Sequence, residues 1–465
     1  MDPRLNALFH PRSVAIIGAT MREGSVGAVI TRTLIERFRG RVYLVNPSYS
    51  ELFGLAVYRS VLDIPDDVDL AIIVTPAPTV PGIVRECAIK GVKVAVIISG
   101  GFSETGESGA RLEEEVRANA QGKVRILGPN CIGVYNAFNG LDTFFIPRNR
   151  MEKPRPGPIA IISQSGAVAA AILDWAARRN IGVGLAVNYG NKLDINETEL
   201  LEYLAGDPNV KVIVMYLEGL KRPGEGRVLM ETMKAITKAK PIIVYKAGRS
   251  KSSGRAVRSH TAALAGNYEV YRAMLRQAGA IEVDNLFEAL EVAKALATQP
   301  LPRGNRVLVI TDSGGFGVQA VDNLESVGLA VPELPLELRE TLSKSLPPLV
   351  SVTNPIDLTG SATDEMYKFV LDTVLPTNHV DMALISAQLQ LPGMTPRLAD
   401  YIINAAGFGK PIVVFSIGGS EDARVFRAKL EESGVPTYDR LEVAAKALRA
   451  LYDYAVIRGV AAEQP

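Results

Sequence analysis

The chain has 465 residues, 47% of them hydrophobic and 22% charged, a composition that fills cores and predicts about three soluble domains. A net charge of +1 argues against bulk binding to nucleic acid or an anionic membrane surface, and 6% aromatics with one tryptophan, Trp175, argue against a base-stacking platform. Two cysteines, Cys87 and Cys131, and three scattered histidines are a poor supply for a zinc cage, so no metal site is expected.

The opening Met1-Asp2-Pro3-Arg4-Leu5-Asn6 lacks the apolar core of a signal peptide. The longer apolar runs, such as Val94–Ile98 and Ala167–Leu173, are too short to span a bilayer. These features predict a cytoplasmic protein with no membrane or nucleic-acid partner. From there on, β-branched runs alternate with helical patterns, the pattern of parallel sheets built from βαβ units. The first block, 1–150, predicts strands at Val14–Ile17, Val42–Val45, Ala71–Val74, Val94–Ile98 and near Val124–Leu127, with helices such as Val26–Phe38 and Val80–Lys90 between them. The proline-rich Met151–Pro158 marks the boundary. The second block, 151–302, predicts strands at Ile159–Ile162, Val183–Val187, Val212–Tyr216 and Ile242–Tyr245. The third, 303–465, predicts strands at Val307–Ile310, Met382–Ser386 and Ile412–Phe415. Each block opens with an apolar strand, a turn of small residues and a helix.

Such turns place backbone amides and a helix N-terminus where an anion can sit. In the first block the turn is Gly18-Ala19-Thr20-Met21-Arg22-Glu23-Gly24-Ser25. Its spacing is not G-x-G-x-x-G, so a nicotinamide dinucleotide is poorly supported, and Asn46-Pro47 stands where a dehydrogenase needs an acidic residue. Asn46-Pro47, Thr75-Pro76 and Ser99-Gly100 follow other strands, and open parallel sheets hold ligands at the carboxyl ends of their strands. Gly128-Pro129-Asn130-Cys131-Ile132-Gly133 forms a rigid loop at the same edge. Ser163-Gln164-Ser165-Gly166 offers hydroxyls and free amides either to a phosphate or to ordinary N-capping.

Glu218 ends an apolar strand, where its carboxylate faces either the ligand edge or solvent. The segment Lys246–Gly266 carries five Lys or Arg side chains and delivers one imidazole, His260, beyond a buried strand. A neutral imidazole is nucleophilic near pH 7, and a carboxylate near it fixes the ring and stabilises its charged, phosphorylated form.

Taken in order, Leu8-Phe9-His10-Pro11-Arg12-Ser13-Val14-Ala15-Ile16-Ile17-Gly18-Ala19, Gly128–Gly133, Ser163–Gly166, Glu218, Ser259-His260-Thr261 and Asn354-Pro355-Ile356-Asp357-Leu358 resemble one family across the whole chain. That family is the α subunit of the NDP-forming acyl-CoA synthetases, of the ADP-forming acetyl-CoA synthetase type, relatives of succinyl-CoA synthetase. The resemblance implies a Rossmann-like CoA-binding domain followed by two flavodoxin-like domains. It implies an acid–thiol ligase that interconverts acyl-CoA, ADP and phosphate with carboxylic acid, CoA and ATP through an acyl phosphate and a phosphohistidine. By matching position His260 is phosphorylated, Glu218 orients it, and Gln164, Ser165 and Gly166 receive the phosphoryl group. The CoA and acyl contacts fall to Gly18, Thr20, Arg22, Ser25, Asn46, Pro47, Thr75, Pro76, Ser99, Gly100, Asn130 and Cys131. Relatives often carry a lysine after the second strand; Asn46-Pro47-Ser48-Tyr49 has none, and Arg22 is the candidate substitute. The three blocks leave no segment suited to an ATP-grasp fold. ADP or ATP with its Mg²⁺ would then be bound mainly by a partner β subunit, in an α2β2 heterotetramer. A CoA-binding regulatory protein of the same fold is the alternative, which the joint presence of His260 and Glu218 disfavours.

Overall fold

The structure, a computed structural model, describes residues 2–254 and 267–462. The chain divides into two compact units, Met1–Leu290 and Glu291–Pro465.

The first unit holds two sheets. Strands β1 Ser13–Ile17, β2 Arg41–Val45, β3 Glu51–Leu52, β4 Leu55–Tyr58, β5 Leu70–Ile73, β6 Val94–Ile97 and β7 Arg125–Leu127 lie in the order β3-β4-β2-β1-β5-β6-β7. All neighbours pair in parallel except β3 with β4. Every residue of β1, β5 and β6 is buried, because helices such as Val26–Arg37, Val80–Lys90 and Glu107–Ala120 accompany the crossovers. The predicted elements recur within a residue or two of their expected bounds.

The second sheet contains β8 Gly133–Asn136, β9 Leu141–Asp142, β10 Ile159–Ser163, β11 Val183–Asn188, β12 Val212–Leu217, β13 Ile242–Lys246 and β14 Ile281–Glu282. Their order is β14-β13-β12-β10-β11-β8-β9. Strands β10 to β14 pair in parallel, whereas β8 joins β11 antiparallel. Residues ahead of the proline-rich stretch therefore complete this sheet. The prolines lack N–H donors, but the stretch supplies carbonyls: Arg155 accepts from Val183 N at 3.0 Å and Pro158 from Lys211 N at 2.8 Å. Tyr135 on β8 donates its hydroxyl to Pro154 O at 3.0 Å.

In the second unit β15 Val307–Thr311, β16 Ile356–Asp357, β17 Met382–Ser386, β18 Ile412–Phe415 and β19 Thr437–Tyr438 form a parallel sheet of order β16-β15-β17-β18-β19. Asn354 lies just before β16 at φ +98°. Its side chain stands in for missing ladder bonds, accepting from Val309 N at 2.9 Å and donating to Val307 O at 3.0 Å. In all three sheets the first long strand feeds a helix at the point where the strand order reverses, the place where such sheets hold ligands.

Candidate active site

At the first reversal Gly18 leaves β1 at φ +100°, a conformation that favours glycine. A Cβ there would lie 3.0 Å from Val74 O, and one at Gly27 would lie 2.7 Å from Gly18 O. The turn and the helix it feeds are thus in near backbone contact. Ser25 caps that helix, its hydroxyl accepting from Ala28 N at 3.3 Å. Thr20 Oγ1 accepts from Arg22 N at 3.2 Å, and the Arg22 side chain is exposed beside the turn. Asn46 spends its side chain on the turn: Nδ2 donates to Ala19 O and Oδ1 accepts from Ser48 N, both at 2.9 Å. It shapes the crevice through the backbone, and Pro47 beside it is exposed. Thr75 and Ser99 close the row, with Ser99 Oγ donating to Thr75 O. Pro76 and Gly100 are exposed next to them.

The loop after β7 meets the loop after β10 across a cavity of about 470 Å³. Its lining brings together Asn130 and Cys131 from one loop with Gln164, Ser165 and Gly166 from the other. Asn188, at the end of β11, ties the two loops: Oδ1 accepts from Ile132 N at 2.8 Å, and Nδ2 donates to Ser163 O at 2.9 Å and Gln164 O at 3.1 Å. The helix Gly166–Arg178 begins at this wall, capped by Ser165 through a long 3.5 Å contact from Val168 N. The capping offered by Ser165 is present, and Gly166 and Ala167, the first residues of the helix, line the cavity.

Glu218 is 4% exposed, just past β12. Gln164 Oε1 accepts from both Glu218 N at 2.9 Å and Gly219 N at 3.1 Å. The Gln164 side-chain carbonyl is therefore committed to Glu218 and Gly219, and its backbone to Tyr216 O and the Asn188 amide, which leaves its Nε2 for the cavity. His260 itself, with the rest of 255–266, lies outside the described residues. Its approach is described: β13 pairs with β12, Leu217 opposite Lys246, and Ala247 N donates to Leu217 O at 2.9 Å. The chain toward His260 thus leaves the sheet alongside Glu218.

Cys131 Sγ sits 3.3 Å from Ile97 O, and complete burial pushes its thiol up to about 12. It lines the cavity, and so deeply buried a thiol is a poor source of thiolate. Sequence reasoning missed Asn188, Glu104 and Asn191. Glu104 lines the cavity and accepts from Gly101 N at 2.6 Å and from the Asn191 amide. Burial works to raise its carboxyl, but the Asn191 amide and backbone N–H groups outweigh that and hold it below the usual range. The available signal was position: Asn188 ends a strand, as Asn46 and Glu218 do. Among the described residues no group of three or more His, Cys, Asp or Glu is placed to hold a metal, and no helix is long and apolar enough to cross a membrane.

Comparison with known proteins accords with this layout. Residues 12–137 match a CoA binding domain, 156–296 a succinyl-CoA ligase like flavodoxin domain, and 307–461 a ligase-CoA domain. The chain is 42% identical over 461 residues to the α subunit of acetate–CoA ligase (ADP-forming) I of Pyrococcus furiosus, covering 97% of each. It is 38% identical over 463 residues to the acetate–CoA ligase (ADP-forming) of Methanocaldococcus jannaschii, covering 98% of this chain and 64% of that longer one. The structure of acetyl-coenzyme A synthetase 1 from Ca. Korarchaeum cryptofilum, in complex with phosphate and ADP, superposes with a TM-score of 0.90 at 37% identity over 98% of both chains. Parallel-sheet crevices, a loop-to-loop cavity and these relatives lead to one conclusion: the chain belongs to the ADP-forming acyl-CoA synthetase family and corresponds to its α subunit.

Proposed function

We propose that the chain catalyses the acyl and first phosphoryl half of the reaction acyl-CoA + ADP + phosphate ⇌ carboxylic acid + CoA + ATP. The observation that carries this reading is the Gln164 bridge. One side chain joins the cavity that Asn130 and Cys131 line to the backbone of Glu218. The acyl end of CoA, the phosphate and the phosphoryl acceptor then share one neighbourhood.

CoA would lie along the strand ends at Gly18, Thr20, Ser25, Asn46, Thr75 and Ser99, with Arg22 near its phosphates and the thioester at Asn130 and Cys131. A phosphate oxygen attacks the thioester carbonyl, the CoA thiolate leaves, and an acyl phosphate forms at the Ser165-Gly166 helix start. There the amides and the helix dipole stabilise the phosphoryl oxygens. A ring nitrogen of His260 takes the phosphoryl group and the carboxylate departs. Glu218 holds the other ring nitrogen, fixing the tautomer and stabilising the charged ring.

ADP with its Mg²⁺ would be met on an ATP-grasp portion supplied by a partner β subunit, in an α2β2 assembly. In support, the Pyrococcus relative is an α subunit of similar length, and the Methanocaldococcus relative carries further chain beyond the matched part. Purification with the partner, followed by assay of CoA-dependent ATP formation from a panel of acyl-CoA esters, tests the reading. If this chain alone makes ATP at an ordinary enzymatic turnover, roughly 1 to 10³ per second, the two-subunit reading fails.

A further inference from the structure

Lys246 ends β13 and is 0% exposed, which is rare for an ammonium group. It has no place in the mechanism above. Its Nζ donates to Glu218 O at 2.7 Å and to Ala247 O, and lies 4.4 Å from the centre of the Tyr271 ring. Two carbonyls and an aromatic face thus surround the three N–H groups. Tyr271 in turn accepts from Leu220 N at 3.2 Å, so the cluster holds the chain at Glu218 and just beyond it. The carbonyls are those of Glu218 and of the first residue of the segment leading toward His260.

We propose that Lys246 is a positioning residue for phosphoryl transfer: its buried ammonium ties the strand end bearing Glu218 to the root of the His260 segment, and offsets the Glu218 charge as an anionic phosphoryl group arrives. The inference rests on the reading that Glu218 and His260 form the transfer pair. A purely structural spacer would not need a charge here, since replacing a buried ion with an apolar side chain is often neutral or stabilising. A tie that works through charge must respond to pH. The groups facing Lys246 are Glu218 beyond β12, Tyr271 on the helix Tyr268–Gln277, Glu282 on β14 and Arg249 on its own segment. Burial pushes the ammonium down to about 8, Glu218 opposing and Arg249 adding to the shift. The charge is therefore present below that pH and lost as pH rises through it.

The test is the single-turnover rate of acid-labile phosphate incorporation from acetyl-CoA and labelled phosphate into the holoenzyme, between about pH 7 and about 9.5. The wild type should slow on the alkaline side near pH 8. Lys246→Met should be slower at neutral pH by about tenfold, should lack the alkaline fall, and should bind CoA as the wild type does. Lys246→Arg, charged at every pH used, should restore rate and remove the fall. A wild-type rate flat to the upper pH limit overturns the inference without any variant. So does a Lys246→Met enzyme with wild-type rate and profile. In the same series, acid-labile phosphate lost in His260→Ala while Lys246→Met is unaffected overturns only the Lys246 assignment. Phosphate retained in His260→Ala overturns the transfer pair itself, and this inference with it.

Discussion

Gln164 Oε1 accepts the backbone N–H groups of both Glu218 and Gly219, at 2.9 and 3.1 Å, and so couples the helix start beside the cavity to the strand end that carries the carboxylate. One buried side chain sets the distance between the place where a phosphoryl group would form and the group that would orient its acceptor. A change at Gln164 should therefore be felt at Glu218.

Replacing Gln164 by leucine orphans two buried N–H donors, each costing about 1–3 kcal/mol. The variant should unfold at lower urea and form phosphoenzyme more slowly, with CoA affinity nearly intact. A Gln164→Leu protein with wild-type stability would show that these amides find other acceptors.

At Gly18 the left-handed φ and the 3.0 Å approach to Val74 O both penalise a side chain. Gly18→Ala should lose roughly 1–3 kcal/mol of stability. Gly18→Leu, where folded, should weaken CoA binding by at least about tenfold, or ~1.4 kcal/mol, because the backbone can no longer be approached. Calorimetric titration with CoA checks this, and unchanged affinity in a folded variant removes CoA from this turn.

Glu218→Gln should slow phosphorylation by one to two orders of magnitude, since a charge-assisted hydrogen bond contributes about 1.5–3 kcal/mol and ~1.36 kcal/mol is tenfold in rate. His260→Ala should abolish the acid-labile phosphoenzyme. The two losses should not add, because the carboxylate acts only through the ring. Label retained in His260→Ala and mapped by mass spectrometry to His10 or His379 would reassign the acceptor.

Burial pushes both Cys87 and Cys131 up to about 12, the former with help from Glu86. At pH 8 only about one thiol in 10⁴ would be ionised. A disulfide reagent should detect no thiol in the native protein and both in denaturant. Cys131→Ala should keep forming phosphoenzyme, whereas rapid native labelling at Cys131 would make it a candidate nucleophile.

Asp312, at the end of β15 and 3% exposed, is pushed up to about 6 by burial, against the N–H of Gln388. Its folded value lies above the unfolded one, so the native state binds the proton more tightly. Stability from this group is full below pH ~4 and is lost as pH rises toward about 6. Asp312→Asn should raise the stability of the second unit at pH 7 by about 1–3 kcal/mol and flatten its pH dependence in that window. Urea midpoints at pH 4, 5, 6 and 7 check the sign.

The sequence by itself determined the parallel sheets, the three strand–turn–helix openings and the strand-end positions of Gly18, Asn46, Thr75, Ser99, Gln164 and Glu218. These follow from local hydrophobic period and turn chemistry, which act over a few residues. The order of the strands is another matter. That Gly133–Asn136 crosses to the second sheet and pairs with β11 depends on which edge is free once β10 to β14 have assembled. The same holds for function within the site. Asn46 could equally have faced a ligand, yet it bonds its own turn; Gln164 could have faced phosphate, yet its carbonyl holds Glu218. Lys246 read as one cation of a basic loop and is instead fully buried. Side-chain commitments of this kind are set by neighbours tens of residues away, because a buried polar group must find its partner wherever the tertiary structure places one.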